Sequence, residues 1–515
     1  MTEKLAKSTL IISIFTMLSR ILGLLRDIII MSVFGAGGMT DAFLVAFKLP
    51  NFLRRLLSEG AFSQAFIPVL TEYKNNLSHQ DVRALISQMT GALLLILSGL
   101  TALVVVFAPQ VIGMFAWGFD SDSEKFHTAT DLLRVTFPYL LLITLTAFAG
   151  SILQSYHRFA ISAFAPILLN MCMIIGALFV APLFEKPIMV LGYAVAVAGL
   201  LQLLIHVPPL FGQKLLVAPT VDFKHEGVQR ILRLMLPAIF GVSVTQINML
   251  FNAMFASLLP DGSVSWLYTA ERMSELPLGL IGVAIGTVIL PVLSANALSG
   301  DSKAFSATLD WATRWVVLVG LPASVALMLI SDVLMQALFL RGEFGLNDVH
   351  MSAQALQGLA GGVLGFMLIK VFAPAFFARQ DSKLPVKIGI IAIGVNVIFS
   401  LLFMAIFPTI HLTPHAGLAF ANTLASLVNA GLLYVYLHKH GIFRFGSHWK
   451  KLACQFGMAN GAMALALWQM VAYFPMHGSQ MLRLLALAGI CVGGAGVYGG
   501  ILLLAGFRIK DLKLR

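Results

Sequence analysis

Apolar residues run along this chain in blocks of membrane length, separated by short polar stretches and without the alternation that marks half-buried strands. About 20 consecutive apolar residues let a helix cross the roughly 30 Å hydrocarbon layer of a bilayer. Fourteen such spans are predicted, near residues 8–34, 41–70, 84–108, 132–155, 160–181, 187–211, 231–258, 264–294, 309–331, 351–378, 384–407, 415–437, 452–473 and 482–506. The expected fold is therefore an all-α polytopic membrane protein.

The polar stretches set the orientation. With a cytoplasmic N-terminus, 22 of the 34 Lys and Arg fall on cytoplasmic loops and flanks, five (Lys125, Arg134, Lys186, Arg341, Arg483) on the opposite side, and seven at membrane depth. Cytoplasmic loops retain excess cations, so both termini are expected in the cytoplasm. Lys4 and Lys7 precede an apolar run as in a signal peptide, but Arg20 interrupts it and no small-x-small site follows. That run is expected to be a retained first helix.

An internal repeat appears at an offset of 223 residues: Ile67-Pro68-Val69-Leu70 falls on Leu290-Pro291-Val292-Leu293, and Ala42-Phe43-Leu44 on Ser265-Trp266-Leu267. Six spans separate the copies, an even number, so the repeat is parallel with its axis along the membrane normal. The expected domains are six-helix bundles at 1–212 and 230–440, a cytoplasmic linker at 213–229, and two further helices at 441–515.

Composition sharpens this picture. At 59% hydrophobic and 11% charged, the 515 residues exclude an ordinary soluble domain. The net charge of +11 would suggest nucleic acid, but sorting the cations by depth and side removes that partner. Cys172, Cys454 and Cys491 form no CxxC pair, His411 and His415 flank Pro414, and no metal site is expected. No GxSxG, P-loop or HExxH occurs, so the chain is expected to be a transporter without a cofactor.

The chemistry lies in charges at membrane depth: Arg20, Arg26, Lys48, Arg54, Arg55, Arg272 and Lys370 against Asp27, Asp41, Glu59, Glu271 and Glu275. Each charge costs roughly 2.5–3.5 kcal/mol at a helix centre, so these groups must face other helices or a water-filled cavity. All but Lys370 lie on spans 1, 2 and 8. Helical geometry puts Asp41, Lys48, Arg55 and Glu59 within about 40° of one direction and Arg54 on another side. Pro50 can kink the helix and reset that phase, which leaves Arg54 and Arg55 open. Mutual pairing as a packing device is the bland alternative, but buried pairs rarely improve on apolar residues. Cations exceed acids by two and five of the seven are arginine, whose planar fork suits phosphate or carboxylate. Parallel repeats with ionisable groups between them point to alternating access on an anionic headgroup.

Ser19-Arg20-Ile-Leu-Gly23-Leu-Leu-Arg26-Asp27, Phe34-Gly-Ala-Gly37, Thr40-Asp41-Ala-Phe, Lys48-Leu-Pro50-Asn51-Phe-Leu-Arg54-Arg55, Glu59-Gly-Ala-Phe-Ser-Gln-Ala-Phe-Ile-Pro68 and Arg379-Gln-Asp381 resemble the MurJ (MviN) family of bacterial lipid II flippases. The resemblance implies the MOP exporter superfamily, an inner-membrane location, and a lipid groove formed by the last two helices. It implies as substrate undecaprenyl-diphosphate disaccharide-pentapeptide, moved from the cytoplasmic to the periplasmic leaflet. Membrane lipids and the peptidoglycan synthesis machinery are the implied partners. By resemblance, Arg20, Arg26, Arg54 and Arg272 are the functional arginines, which selects Arg54 over Arg55; Lys48 and Arg55 remain candidate substrate-binding cations from their place at membrane depth. Asp41 and Glu59 are implied gating or cavity charges; Asp27, Glu271 and Glu275 join them as charged neighbours. Ser19, Gly23, Pro50 and Asn51 are expected to shape or gate the site. Some members bind sodium through an acid on helix 7, where this chain has Asn248 and Asn252, so a sodium site is not expected. Membrane potential is one expected driving force, with the coupling ion left open. The rivals are a flippase for another polyprenyl-diphosphate-linked glycan, a MATE-like drug antiporter, and a non-transporting scaffold for wall-synthesis enzymes in which the charges are structural.

Overall fold

The computed structural model describes residues 2–57, 62–279, 283–508 and 512. Among them regular structure is helical, apart from one isolated bridge between Arg341 and Phe344. In a bilayer a helix satisfies its own backbone polar groups, which is why hydropathy translates so directly into helices here. Nine helices among the described residues are long and apolar enough to cross a membrane. The chain divides into two compact units, Met1–Ser265 and Trp266–Arg515.

The first unit contains α1 (Thr2–Phe34), α2 (Gly38–Arg54), α3 (Phe62–Asn76), α4 (His79–Val106), α5 (Ala108–Phe115), α6 (Glu124–Thr136), α7 (Tyr139–Ser155), α8 (Ala160–Ile175), α9 (Met189–Leu204), α10 (Val207–Gly212) and α11 (Glu226–Ser257). Its core includes Phe62, Phe66 and Phe148, with ring centroids 4.9–5.7 Å apart. The second contains the remainder of α12 (Ser263–Pro277), α13 (Val283–Leu298), α14 (Ser302–Phe339), α15 (Leu346–Ala378), α16 (Lys383–Ile406), α17 (Pro414–Lys439), α18 (His448–Ala472) and α19 (Gln480–Leu504). There α18 and α19 pack on each other and on α14, where Tyr498 donates to the Leu318 carbonyl at 2.8 Å and Trp449 to Asp310 at 2.6 Å.

Element starts preserve the 223-residue offset: α4 begins at 79 and α14 at 302, α8 at 160 and α16 at 383. The copies differ where proline intervenes. Pro109 accompanies the break between α4 and α5, and Pro138 the break between α6 and α7, whereas α14 and α15 run on unbroken at the matching places. A proline cannot donate its backbone N–H and crowds the preceding turn, which accounts for the breaks.

The described residues of the spans expected at 41–70 and 264–294 form two helices each. The first is α2 and α3, the second α12 and α13. A widened π turn follows α2 at residues 55–57 and α12 at 278–279, again 223 apart at their starts. Pro50 and Pro277 sit within the preceding helices, Pro68 and Pro291 within the following ones. Periodicity carried across such a turn loses its phase, so the common face assigned to Asp41, Lys48, Arg55 and Glu59 does not extend across residue 55 as a single helical face.

The segment after α10 is fixed to α4. Ser87 donates from Oγ to the Ala218 carbonyl at 2.6 Å, and Thr220 N–H to the Ser87 carbonyl at 3.2 Å. Gly91 permits this approach, since a Cβ there would stand 2.1 Å from the Thr220 carbonyl oxygen. Gly91→Ala is therefore expected to displace the segment and destabilise the protein by about 1–3 kcal/mol, the usual cost of overpacking. Thermal unfolding in detergent with limited proteolysis around residues 213–222 checks this; an unchanged midpoint and cleavage pattern would refute it.

Candidate functional site

The predicted charges on α1 occupy two environments. Arg20 is exposed, while Arg26 and Asp27 are 5% and 2% exposed. Arg26 grips Asp27 Oδ1 through Nη2 at 2.6 Å and Nε at 2.9 Å, and donates from Nη1 to Asn170 Oδ1 at 3.1 Å. Asn170 on α8 in turn donates to the Ser19 carbonyl at 3.0 Å. Gly23 lies beside the same amide, where a Cβ would be 3.8 Å from Asn170 Nδ2, an ordinary contact. Arg26 and Asp27 thus lock α1 to α8, leaving Arg20 one to two turns away as a cation with no comparable burial.

On α2, Asp41 is 1% exposed. Its Oδ1 accepts from Ser265 N–H at 2.9 Å and Ser265 Oγ at 2.6 Å; Oδ2 accepts from Gly262 N–H at 2.8 Å. Lys125 Nζ lies 3.8 Å from Asp41 and 2.6 Å from Asp261. Asp41 therefore acts as a clasp on the turn that follows α11. In the second unit Trp266 Nε1 donates to Asp348 Oδ1 at 2.9 Å, and Asp348 also accepts from the Gly345 N–H at 3.0 Å. Lys125 and Asp348 are 223 residues apart, so the same place in each repeat anchors a helix by a charged side chain.

At the other end of α2, Asn51 spans two roles: its Nδ2 donates to the Phe47 carbonyl at 3.1 Å, while its Oδ1 accepts from Arg54 Nε at 3.2 Å. Arg55 instead directs Nη1 to Met249 Sδ on α11 at 3.2 Å. Both arginines are half-buried, as is Lys48, and Pro50 is buried within the helix. Glu59 lies outside the described residues.

In the second unit Arg272 donates from Nε and Nη2 to Tyr268 Oη at 3.3 and 3.2 Å and from Nη1 to Glu275 at 3.3 Å. Its side chain retains 35% exposure, and Glu271 is half-buried. Lys370 on α15 is exposed. Tyr268, Asn170, Lys125 and Ser265 were not among the sequence candidates. Asn170 carried a readable signal, an amide within an apolar span; the others become meaningful only through partners distant in sequence.

Comparison with known proteins gives these positions a context. The family model for lipid II flippase MurJ matches residues 30–489. The chain belongs to the MurJ family. A probable lipid II flippase MurJ of Vibrio cholerae serotype O1 is 41% identical, with 99% of this chain and 98% of that protein covered. The lipid II flippase MurJ of Burkholderia cenocepacia is 39% identical with 99% of each covered. A solved MurJ structure in an inward closed conformation shares the fold, with a TM-score of 0.78, 24% identity, and coverage of 96% of this chain and 98% of that one. An inward-facing multidrug resistance MATE transporter of the MOP superfamily also shares it, at a TM-score of 0.69, 15% identity, and coverage of 84% and 98%. The MurJ fold is thus a variant of one used for different cargo, and residues rather than architecture must set the substrate.

Proposed function

We propose that this protein flips lipid II from the cytoplasmic to the periplasmic leaflet of a bacterial inner membrane by alternating access. The observation that carries the reading is its relation, over nearly its whole length, to proteins named lipid II flippases. Arg20, Arg54 and Arg272 hold the diphosphate, with Lys48 and Arg55 adding positive charge, while Arg26 orders α1 behind Arg20. A guanidinium fork matches the paired oxygens of phosphate, and a compact cationic drug would be repelled by the same groups. Glu271, Glu275 and Glu59 temper the charge so that the headgroup is also released.

The repeats at 1–212 and 230–440 are the moving lobes, 213–229 is their cytoplasmic linker, and 441–515 forms a groove for the prenyl tail. Both termini lie in the cytoplasm, a reading supported by the excess of cations on the loops of that side. No bond is made or broken. An interior-negative potential drives an anion outward by about 2.3 kcal/mol per charge per 100 mV. The peptidoglycan synthesis machinery receives the product.

Reconstituted vesicles with labelled lipid II test this, with and without an imposed potential. Arg20→Ala, Arg54→Ala and Arg272→Ala are each expected to lower flipping by roughly ten- to hundredfold, the value of a charge-assisted hydrogen bond, and an imposed potential should raise the native rate. Native flipping by correctly inserted variants would refute the arginine clamp, and a rate indifferent to potential would refute the driving force. Absence of any lipid II movement by the native protein would overturn the function itself.

A further inference from the structure

Away from the charges on α1, α2 and α12, Arg341 and Arg483 of the second unit make no ion pair with a carboxylate among the described residues. Arg341 begins the turn between α14 and α15; Arg483 lies in the first turn of α19. Gln480 donates from Nε2 to the Ala337 carbonyl near the end of α14, fixing the start of α19 beside that turn. Phe344 is fully buried at the other side of the turn, its ring 5.8 Å from Phe339. The backbone bridge between Arg341 and Phe344 closes it.

These contacts bring the start of α19 to the turn that carries Arg341, within electrostatic reach of Arg483. Burial and the neighbouring Arg483 push the Arg341 guanidinium below its ordinary pKa range. Arg341 Nε and Arg483 Nη1 are buried without hydrogen-bond partners among the described residues, although Arg483 Nε donates to the Gly478 carbonyl at 3.0 Å. Nearby acids are engaged elsewhere. Asp348 accepts from Trp266 and Gly345, and Asp332 lies 3.5 Å from His350 Nδ1. Exposed Glu343 makes no ion pair with either arginine among the described residues.

Arginine keeps its charge even when burial is unfavourable, so two guanidinium groups within electrostatic reach of each other, with unused buried donors, call for an anion with several acceptor oxygens. Leu346, Met481, Leu482 and Leu485 supply exposed apolar surface beside or one turn beyond the pair, with Met481 68% and Leu485 62% exposed. A phosphate carried on an acyl chain satisfies both features; free phosphate uses only the first. We infer that Arg341 and Arg483 form a binding site for the phosphodiester headgroup of an anionic membrane phospholipid, whose acyl chains lie along the start of α19. This site is independent of the transport reading.

Native mass spectrometry of the full chain, titrated with dioleoylphosphatidylglycerol, tests the inference, with inorganic phosphate as competitor. The double variant R341Q/R483Q is expected to lose phosphatidylglycerol adducts at least tenfold without a lower unfolding temperature, since it removes two like charges. Equal adducts in variant and native protein would overturn the site. Displacement by millimolar inorganic phosphate would overturn its assignment to lipid. If the double variant does not fold, R341Q, which retains the Arg483 bond to Gly478, is compared in the same titration: a severalfold loss supports the site and native binding refutes it. Lipid II flipping measured alongside distinguishes the two proposals, because loss of flipping in R20A leaves phosphatidylglycerol adducts unchanged.

Discussion

Arg26→Ala is expected to destabilise the protein by about 3–5 kcal/mol and to abolish measurable lipid II flipping. The stability loss follows from what remains behind. Asp27 is 2% exposed, and Arg26 donates to it through both Nε and Nη2. Removing one member of a buried ion pair leaves the other charge desolvated, whereas removing both together is often neutral. Arg26→Ala also withdraws the donor to Asn170 Oδ1, although Asn170 retains its bond to the Ser19 carbonyl. Arg26→Lys keeps the charge but not the fork, and is expected to lie between the two. The decisive comparison is R26M/D27L. If Arg26 serves to order α1, that double variant unfolds near the native temperature and keeps most flipping. If Arg26 itself holds substrate, it regains stability without activity. Native stability in the single Ala variant would refute the buried-pair account.

Asp41→Ala should be nearly as damaging, costing about 3–5 kcal/mol through loss of the buried charge and its partners. Ser265 N–H, Ser265 Oγ and Gly262 N–H all converge on Asp41, and Lys125 keeps Asp261 and the face of the Phe119 ring. Ser265 Oγ can rotate to another acceptor; the two backbone donors cannot. Each buried donor left unpaired costs about 1–3 kcal/mol. Asp41→Asn separates shape from acceptor capacity: with its oxygen toward Ser265, its NH2 faces Gly262 N–H and Lys125. It is therefore expected to recover less than half the loss. Unfolding midpoints for the two variants, measured in the same detergent, check this order. Equal stability of Asp41→Asn and native protein would show that neither the second acceptor oxygen nor the charge matters.

Much of the fold is readable in the sequence because a bilayer leaves few alternatives: apolar blocks become helices, and the 223-residue offset reappears in the starts of α4 and α14 and of α8 and α16. Hydropathy does not reveal where a helix widens into a π turn without leaving an apolar environment. Hence 41–70 and 264–294 read as continuous while the chain makes π turns after α2 and α12. Membrane-depth charges are conspicuous because each is costly. Their partners are not. Arg26 meets Asn170 across 144 residues, and Asp41 meets Ser265 across 224, distances over which no periodicity carries information. Arg54 and Arg55 illustrate the same limit. Adjacent in sequence, one is held by Asn51 within its own helix and the other turns toward Met249 on α11, a division set by packing against a later helix.

The clasp at Asp41 also imposes an order on synthesis. Ser265 follows Asp41 by 224 residues, so at about 5–20 residues per second a nascent chain makes the carboxylate roughly 10–45 s before its principal partners exist. Lys125, 3.8 Å from Asp41 in the finished protein, emerges much earlier. It gives the charge an interim counterion during insertion, before Ser265 and Gly262 arrive to complete the first unit.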